Sequence, residues 1–475
     1  MRRALLLAML VLAAPAYAQE PHRIQADLRT EGDHIKQSCS DFTLKSVFSC
    51  VVTFATEDPF HLAIGSLSPQ NGVAFGAAFS EHSTFGERWR VNWNADAVTT
   101  FSGSWRAGAY MKAVYIADEP IGIVPIPAPG TPTPSTPNAA EALAVLAHPV
   151  INAYVETTSL ETLHFYGLGP DSTPAGKSAF GMKQTIIGTN IVYPITAVPL
   201  RPLRLSLAGG LNGRFISIRS NTQESVPSID QLYNDTGAPG LSSQPGFAQF
   251  TEGVRIRPSW IGGHLQPNYF VSFDQFVASS DSHASFHRWT IDLNHEIPLY
   301  TTRRSDVTKE FNGPDSCAQA FGGRCPPISY SRNRGGTIGF RFLLSGSSAA
   351  SGNAIPFYLQ PTLGGSDLNG NAALPSYDDY RFRAPNVILL QESIEHSVWG
   401  PIGVAFQADQ GKVTLDSGDL DFTDLKHSFA FGITLRAGGF PQIFLMYAWG
   451  GGEGNHTIAR INSSVLGGGS RPSLF

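Results

Sequence analysis

Hydrophobic and polar positions alternate with a period of two along much of this chain. The clearest run is 87–97 (ERWRVNWNADA), where Trp89, Val91, Trp93, Ala95 and Ala97 interleave with Arg88, Arg90, Asn92, Asn94 and Asp96. A period of two sends one set to each face of a β-strand. At 286–296, Trp289, Ile291 and Leu293 oppose Arg288, Thr290, Asp292 and Asn294. At 338–344, Ile338, Phe340, Phe342 and Leu344 oppose Gly339 and Arg341; at 427–436, Phe429, Phe431, Ile433 and Leu435 oppose Ser428, Thr434 and Arg436. Residues 204–215 repeat the pattern with Arg204 and Arg214 on the polar face. Read this way, the chain is expected to form sixteen strands: 72–82, 87–97, 105–115, 150–165, 180–194, 204–218, 248–259, 268–278, 286–297, 335–346, 355–361, 386–397, 402–412, 427–437, 441–449 and 457–467.

Arginine recurring on one strand face is expensive in a dry core. It suits a water-filled lumen, with the apolar face turned to lipid. A sandwich with its arginines on the solvent side is the alternative; the repetition favours the barrel. Past the N-terminus no run of about 18 apolar residues occurs, which leaves strands as the spanning elements. The expected fold is therefore all-β, a transmembrane antiparallel β-barrel of about 16 strands. The 48 Gly, 33 Pro and 11% aromatics against 15% charged residues agree with it. If the first strand rises from the periplasm, the outer connections include Pro-rich 116–149, 298–334 and 362–385. The connection 219–247 then falls on the inner side, where it is long for a periplasmic turn.

The N-terminus changes the setting. Arg2 and Arg3, the apolar run Leu5–Ala14 and Ala16-Tyr17-Ala18 form a secretory signal peptide over 1–18. Residues 19–59 are expected to be a short N-terminal periplasmic segment, and 60–475 the barrel. Export permits disulfides, and Cys39 with Cys50 and Cys317 with Cys325 are the preferred local pairs; other connectivities stay open. These spacings lack the paired CxxC of a zinc site. The net charge of -5 gives no sign of a nucleic-acid partner.

Other motifs weigh little. Asp367-Leu368-Asn369-Gly370-Asn371 opens like a calcium loop, but Ala372 stands where glycine is needed and the final glutamate is absent. Gly450-Gly451-Gly452-Glu453-Gly454 lacks the Lys-Ser/Thr of a phosphate loop and reads as a tight turn. No G-x-S-x-G elbow occurs. His287, His295, His396 and His427 are scattered, with no Ser and Asp at triad spacing. No enzyme activity and no cofactor are expected, although a lipolytic barrel is one alternative.

Several segments, in order, resemble the BamA/TamA-type outer-membrane barrels, the bacterial surface antigen family. They are Phe165-Tyr166-Gly167-Leu168-Gly169-Pro170-Asp171-Ser172, Gly253-Val254-Arg255-Ile256-Arg257-Pro258, Leu363-Gly364-Gly365, Tyr380-Arg381-Phe382-Arg383-Ala384-Pro385-Asn386, Glu392, and Phe406-Gln407-Ala408-Asp409-Gln410-Gly411. The terminal Phe475 sits where the assembly signal of exported barrels lies. The resemblance implies an outer-membrane barrel with its sixth outer loop folded into the lumen. In the family, an Arg-Gly pair in that loop meets acidic residues of the inner wall. Here the matching tetrapeptide is Leu374-Pro375-Ser376-Tyr377, without Arg or Gly. The expected replacement lock is Arg381 or Arg383 pairing with Glu392 or Asp409, because an arginine withdrawn from water needs a carboxylate.

Family members that assemble or secrete proteins carry POTRA domains before the barrel, and the stretch ahead of residue 72 is expected to be too short for one. The expected role is thus protein or lipid export or assembly in the bacterial outer membrane. Its expected partners are outer-membrane lipid and a separate periplasmic protein. A passive pore is the other alternative.

Overall fold

The computed structural model describes residues 60–461, apart from 86–87, 116–147, 196–197, 222–223, 259–264, 307–329, 366–371, 400–401 and 438–439. The expected signal peptide, the segment 19–59, all four cysteines, the calcium-like run 367–371 and Phe475 lie outside the described residues.

Sixteen strands form one antiparallel sheet, each hydrogen-bonded to the next in chain order. They are β1 (Phe60–Ser66), β2 (Val73–Phe85), β3 (Trp89–Thr100), β4 (Trp105–Tyr115), β5 (Val150–Phe165), β6 (Ser178–Pro194), β7 (Leu205–Ser220), β8 (Phe247–Ile256), β9 (Gln266–Ala278), β10 (Phe286–Asp306), β11 (Tyr330–Ala349), β14 (Asn386–Trp399), β15 (Ile402–Thr414), β16 (Lys426–Ala437), β17 (Phe440–Trp449) and β18 (His456–Ile461). Two two-residue strands, β12 (Thr362–Leu363) and β13 (Phe382–Arg383), pair with each other inside the connection between β11 and β14. The wall is a transmembrane β-barrel. Its edge strands β1 and β18 come within 8 Å of each other, and no ladder joins them among the described residues.

The alternation works as the sequence predicts. Phe75, Trp93, Val155, Ile187, Leu211, Phe250, Phe273, Phe340, Phe406, Phe431 and Leu445 stand exposed on the outer wall, as lipid contact requires. Asn94, Asp96, Asn152, Asn190, Asn212, Gln249 and Asp274 are buried on the inner one. Hydrogen bonds run along this face: Tyr110 donates to Glu156 (2.7 Å), Asn152 to Asn190 (2.6 Å) and Gln249 to Asp274 (2.9 Å). Arg341 donates to both oxygens of Asp292, at 3.0 and 2.9 Å.

Two features correct the expected strand list. Residues 60–66 form a strand that the alternation did not single out. Residues 355–361 form no strand; Phe357–Leu359 make a turn of 3₁₀ helix. Pro356 and Pro361 flank that turn, and proline has no N–H to give a ladder. The total of sixteen survives because one omission and one false strand cancel.

Between those two errors every strand is numbered one too low, so the ends are exchanged. Connections 67–72, 101–104, 166–177, 221–246, 279–285, 350–385, 415–425 and 450–455 share one end, called the loop end below. The long 221–246 belongs there with 350–385. The segments 116–149 and 307–329 join strands at the opposite end, contrary to the expectation that they share a side with 362–385.

At the loop end an apolar core fills the lumen. Leu163, Phe165, Phe180, Ile216, Phe247, Phe276 and Phe286 from the wall pack with Ile229, Ile355, Phe357, Tyr358 and Tyr380 from the connections. Phe357 is central, 5.2 Å from Phe165 and 5.3 Å from Phe180 between ring centres.

Candidate functional site

The described residues of the connection 350–385 turn inward and lie against the lumen wall. Its fold rests on glycine where side chains cannot fit. Gly364 has φ +108, and a Cβ there would come 2.5 Å from Arg381 Cβ and 2.7 Å from the Asp378 carbonyl. Gly364 N–H donates to Ala373 O, and its own carbonyl accepts from Tyr380 N–H at 3.0 Å. Leu374 and Tyr380 also hold positive φ, at 52° and 60°. Such strain costs about 1–3 kcal/mol per residue and persists only where the surroundings impose it.

At Leu374 the surroundings are plain. Its N–H donates to Asp409 Oδ2 at 2.8 Å, and the Ser376 N–H donates to Ser428 Oγ at 2.8 Å. Asp409, 1% exposed, also accepts from Gln391 and Gln407. A backbone amide of the Leu374–Tyr377 tetrapeptide therefore meets a carboxylate of the wall.

Arg381 and Arg383 are both buried in the lumen, at 2% and 1% exposure. Arg381 makes a two-pronged pair with Glu453: Nε donates to Oε2 and Nη2 to Oε1, both at 2.7 Å. Two more of its hydrogens go to Ser172, Nη1 to Oγ at 2.8 Å and Nη2 to the carbonyl at 2.6 Å. The head lies over the Tyr166 and Phe382 rings, 5.1 and 4.6 Å from their centres. Four of the five N–H hydrogens of this guanidinium head are thus used on oxygens, the arrangement that makes a buried charge tolerable.

Arg383 contrasts with it. Nη1 donates to Phe357 O at 2.8 Å, and the head sits between the Phe165 and Phe357 rings. Nε and Nη2 have no hydrogen-bond partner among the described residues.

The expected pairing with Glu392 or Asp409 is therefore not what holds the two arginines. Glu392 lies opposite Phe340 and Ala408 in the ladder, exposed on the outer wall. The inward neighbour is Gln391, which donates to Ala372 O at 2.8 Å and accepts from Arg341. A one-residue step along a strand exchanges the two faces.

The structure does join segments that lie far apart in the chain. Gly169 N–H donates to Arg383 O at 2.8 Å, and Ser172 holds Arg381. The 165–172 and 380–386 motifs are thus two sides of one contact. Asp378 extends it, accepting from Tyr166 Oη at 2.7 Å, with Lys177 Nζ at 3.4 Å and His456 Nδ1 at 3.9 Å. Burial pushes the Asp378 carboxyl up, but the Tyr166 hydroxyl, Lys177 and His456 outweigh it and hold it below its ordinary value.

Sequence reasoning missed Glu453. The available signal was that it is the one acidic residue in the glycine-rich 450–454 turn. It also missed Ser68, whose hydroxyl shares a buried 2.5 Å hydrogen bond with the Tyr380 hydroxyl.

Beyond the loop tip the lumen stays polar. Asn294, Glu296, Arg341, Gln391, Ser393 and Gln407 surround a cavity of about 280 Å³ with Ala372 at its edge. Among the described residues no group of three or more His, Cys, Asp or Glu side chains could hold a metal.

These features define a sixteen-stranded transmembrane barrel with a connection folded into its lumen. No protein-family model matches the sequence, and no curated protein matches it. Solved structures similar in fold include CdiB from Acinetobacter baumannii, with a TM-score of 0.44 and 9% identity over 85% of this chain and 56% of that one. BamA from Haemophilus ducreyi lacking POTRA domains 1-3 has a TM-score of 0.44 and 10% identity over 85% of this chain and 68% of that one. CdiB from Escherichia coli has a TM-score of 0.48 and 11% identity over 86% of this chain and 60% of that one. This chain thus spans less than two thirds of the two CdiB chains. The barrel assignment stands on the strand ladder itself.

Proposed function

We propose that the protein is a non-enzymatic barrel of the bacterial outer membrane that serves protein or lipid export or assembly there, with a separate periplasmic protein as partner. The observation that carries this reading is the division of the lumen. One end holds a buried aromatic core and a seated loop; further along, the lumen keeps a polar chamber. Close-packed aromatics leave no column of water for ions to follow, which weighs against a passive pore. A polar chamber open toward one side suits a client that enters there and leaves by another route.

The test joins two measurements on intact protein. In planar bilayers it is expected to pass only rare, small currents, and a variant lacking 353–361 is expected to pass large ones. A photo-crosslinker placed at Ser393 in the chamber is expected to capture polypeptide or lipid in living cells. Large steady currents from the intact protein, with no adducts at Ser393, would make it a passive pore. Phospholipid hydrolysis by the purified protein would overturn the non-enzymatic reading.

A further inference from the structure

One pair of strands runs past the rest of the wall. The ladder between β10 and β11 continues from Ile297 opposite Ile338 to Asp306 opposite Tyr330. Pairing of β10 with β9 ends at Glu296, and pairing of β11 with β14 ends at Gly336. Beyond those positions the two strands form a ribbon with no neighbour on either side among the described residues. At the usual rise of a strand it is about 30 Å long. It leaves the wall at a bulge between Pro298 and Tyr300, beside Gly336, at the end away from the folded-in loop. Its sequence is polar and basic, with Arg303, Arg304, Arg332 and Arg334 against the single acid Asp306. We propose that this ribbon is the docking site for an acidic strand of the separate periplasmic protein, which pairs along a free edge and meets the arginines with carboxylates.

A two-stranded ribbon is marginal alone in water, so this one gains from having an edge covered. An unpaired edge presents a row of N–H and C=O groups that takes a further strand. The register sets Arg304 opposite Arg332, and like charges directly opposite weaken a ribbon until an anion comes between them. Arginines on a free edge also oppose pairing with a second copy of the same edge, which makes it selective for an acidic strand. The positive charge continues onto the wall at the same end of β8. There Arg255 lies over the Phe270 ring at 4.7 Å and Arg257 donates to Asn268 Oδ1 at 3.0 Å. Neither is in an ion pair among the described residues. Acid gathers instead at the loop end, where 415–425 holds Asp416, Asp419, Asp421 and Asp424. Anionic lipid would answer the charge of the ribbon but not its free edges. The base of the ribbon adjoins the polar chamber, whose lining includes Glu296, Gly339 and Arg341, so a docked protein stands beside that chamber.

The inference rests on the proposed function for its periplasmic partner, with 350–385 as the outer loop; the basic free edge does not depend on it. The test uses the whole protein in a neutral phosphatidylcholine bilayer, with a labelled peptide of alternating Glu and Thr as the probe. The acidic peptide is expected to bind. At about ten times its Kd it is expected to slow amide exchange along one edge of the ribbon, 297–306 or 330–335, about tenfold. A peptide of alternating Lys and Thr is expected to leave that exchange unchanged. In the variant Arg303→Ser, Arg304→Ser, Arg332→Ser, Arg334→Ser, binding of the acidic peptide is expected to weaken about tenfold or more, as loss of four charge contacts allows. With Glu in place of Ser at the same four positions, binding is expected to switch to the Lys peptide.

No binding of the acidic peptide would overturn the proposal. So would binding that survives the four Ser substitutions, or binding that leaves both ribbon edges exchanging at the free rate. Protection of the ribbon by a phosphatidylglycerol bilayer, with none from the acidic peptide, would make the arginines a lipid contact and overturn it too. If neither variant folds, salt decides on the parent protein. At about 1 M salt, where the screening length is about 3 Å, peptide binding is expected to fall about tenfold, and no fall overturns docking by charge. Peptide docking with no adducts at Ser393 would sink the export reading and keep the docking site; adducts at Ser393 with no peptide docking would do the reverse.

Discussion

At the loop end, the inner faces of β5 to β10 carry Leu160, Phe180, Ile216, Phe247, Phe276 and Phe286, covered by Phe357 and Tyr358. Toward the other end, the inner faces of β10 to β15 carry Asn294, Arg341, Gln391 and Gln407 around a polar cavity. Both regions belong to one wall with one alternation. What separates them is whether a connection returns to cover the face. A covered inner face behaves as a protein core, where each methylene counts. An uncovered one behaves as a solvated surface, where charges are cheap and their pairing is worth little. The two arginines of the loop repeat the contrast within a few ångströms: Arg381 has a carboxylate, while Arg383 has aromatic rings and one carbonyl.

The contrast predicts a graded series of effects on unfolding in lipid or detergent. Phe357→Ala, in the covered half, is expected to cost about 3–5 kcal/mol, the loss for an aromatic removed from a packed core. A loss below about 1 kcal/mol would mean that the plug is loosely packed. Arg381→Met is expected to cost about 2–4 kcal/mol by stranding Glu453 and Ser172, whereas Arg383→Met should be neutral or stabilising because it removes a buried cation with no carboxylate partner among the described residues. Equal losses for the two would erase the distinction between them.

Acid should loosen the loop seat by a smaller amount. The folded-state pKa of Asp378 is depressed, so its contribution is present above the ordinary value of 3.8 and is lost as pH falls through the folded value. Protease cleavage within 350–385 is expected to rise below that pH in the parent protein. Asp378→Asn should be cleaved more readily than the parent at neutral pH and show less further change on acidification. Smallest of all, Arg341→Met in the wet half is expected to cost no more than about 1 kcal/mol, since the pair with Asp292 is partly solvated. A loss as large as that of Phe357→Ala would show that the chamber is part of the core.

Much of the wall was legible in the sequence because a strand with lipid on one side and polar groups on the other must alternate. Trp93, Phe340 and Phe431 point outward as their spacing predicts. Residues 355–361 misled for a physical reason: a short apolar run looks the same whether it lines a wall or plugs a lumen, and only the flanking Pro356 and Pro361 spoke against a strand. Glu392 misled because strand faces change with every residue, and a motif match does not fix register.

The sequence by itself determined the kind of molecule: a wall of alternating strands, an apolar outside, a polar inside and a glycine-hinged loop between Leu363 and Asn386. These follow from local rules, since period, turn chemistry and hydrophobicity act over a few residues. Only the tertiary structure decided which end each connection occupies, and that 350–361 packs inside the lumen. It also decided that Arg381 closes on Glu453, 72 positions away in the chain. A partner for a buried charge is chosen by closure of the whole wall, and neither strand period nor residue type records which distant turn that closure brings near.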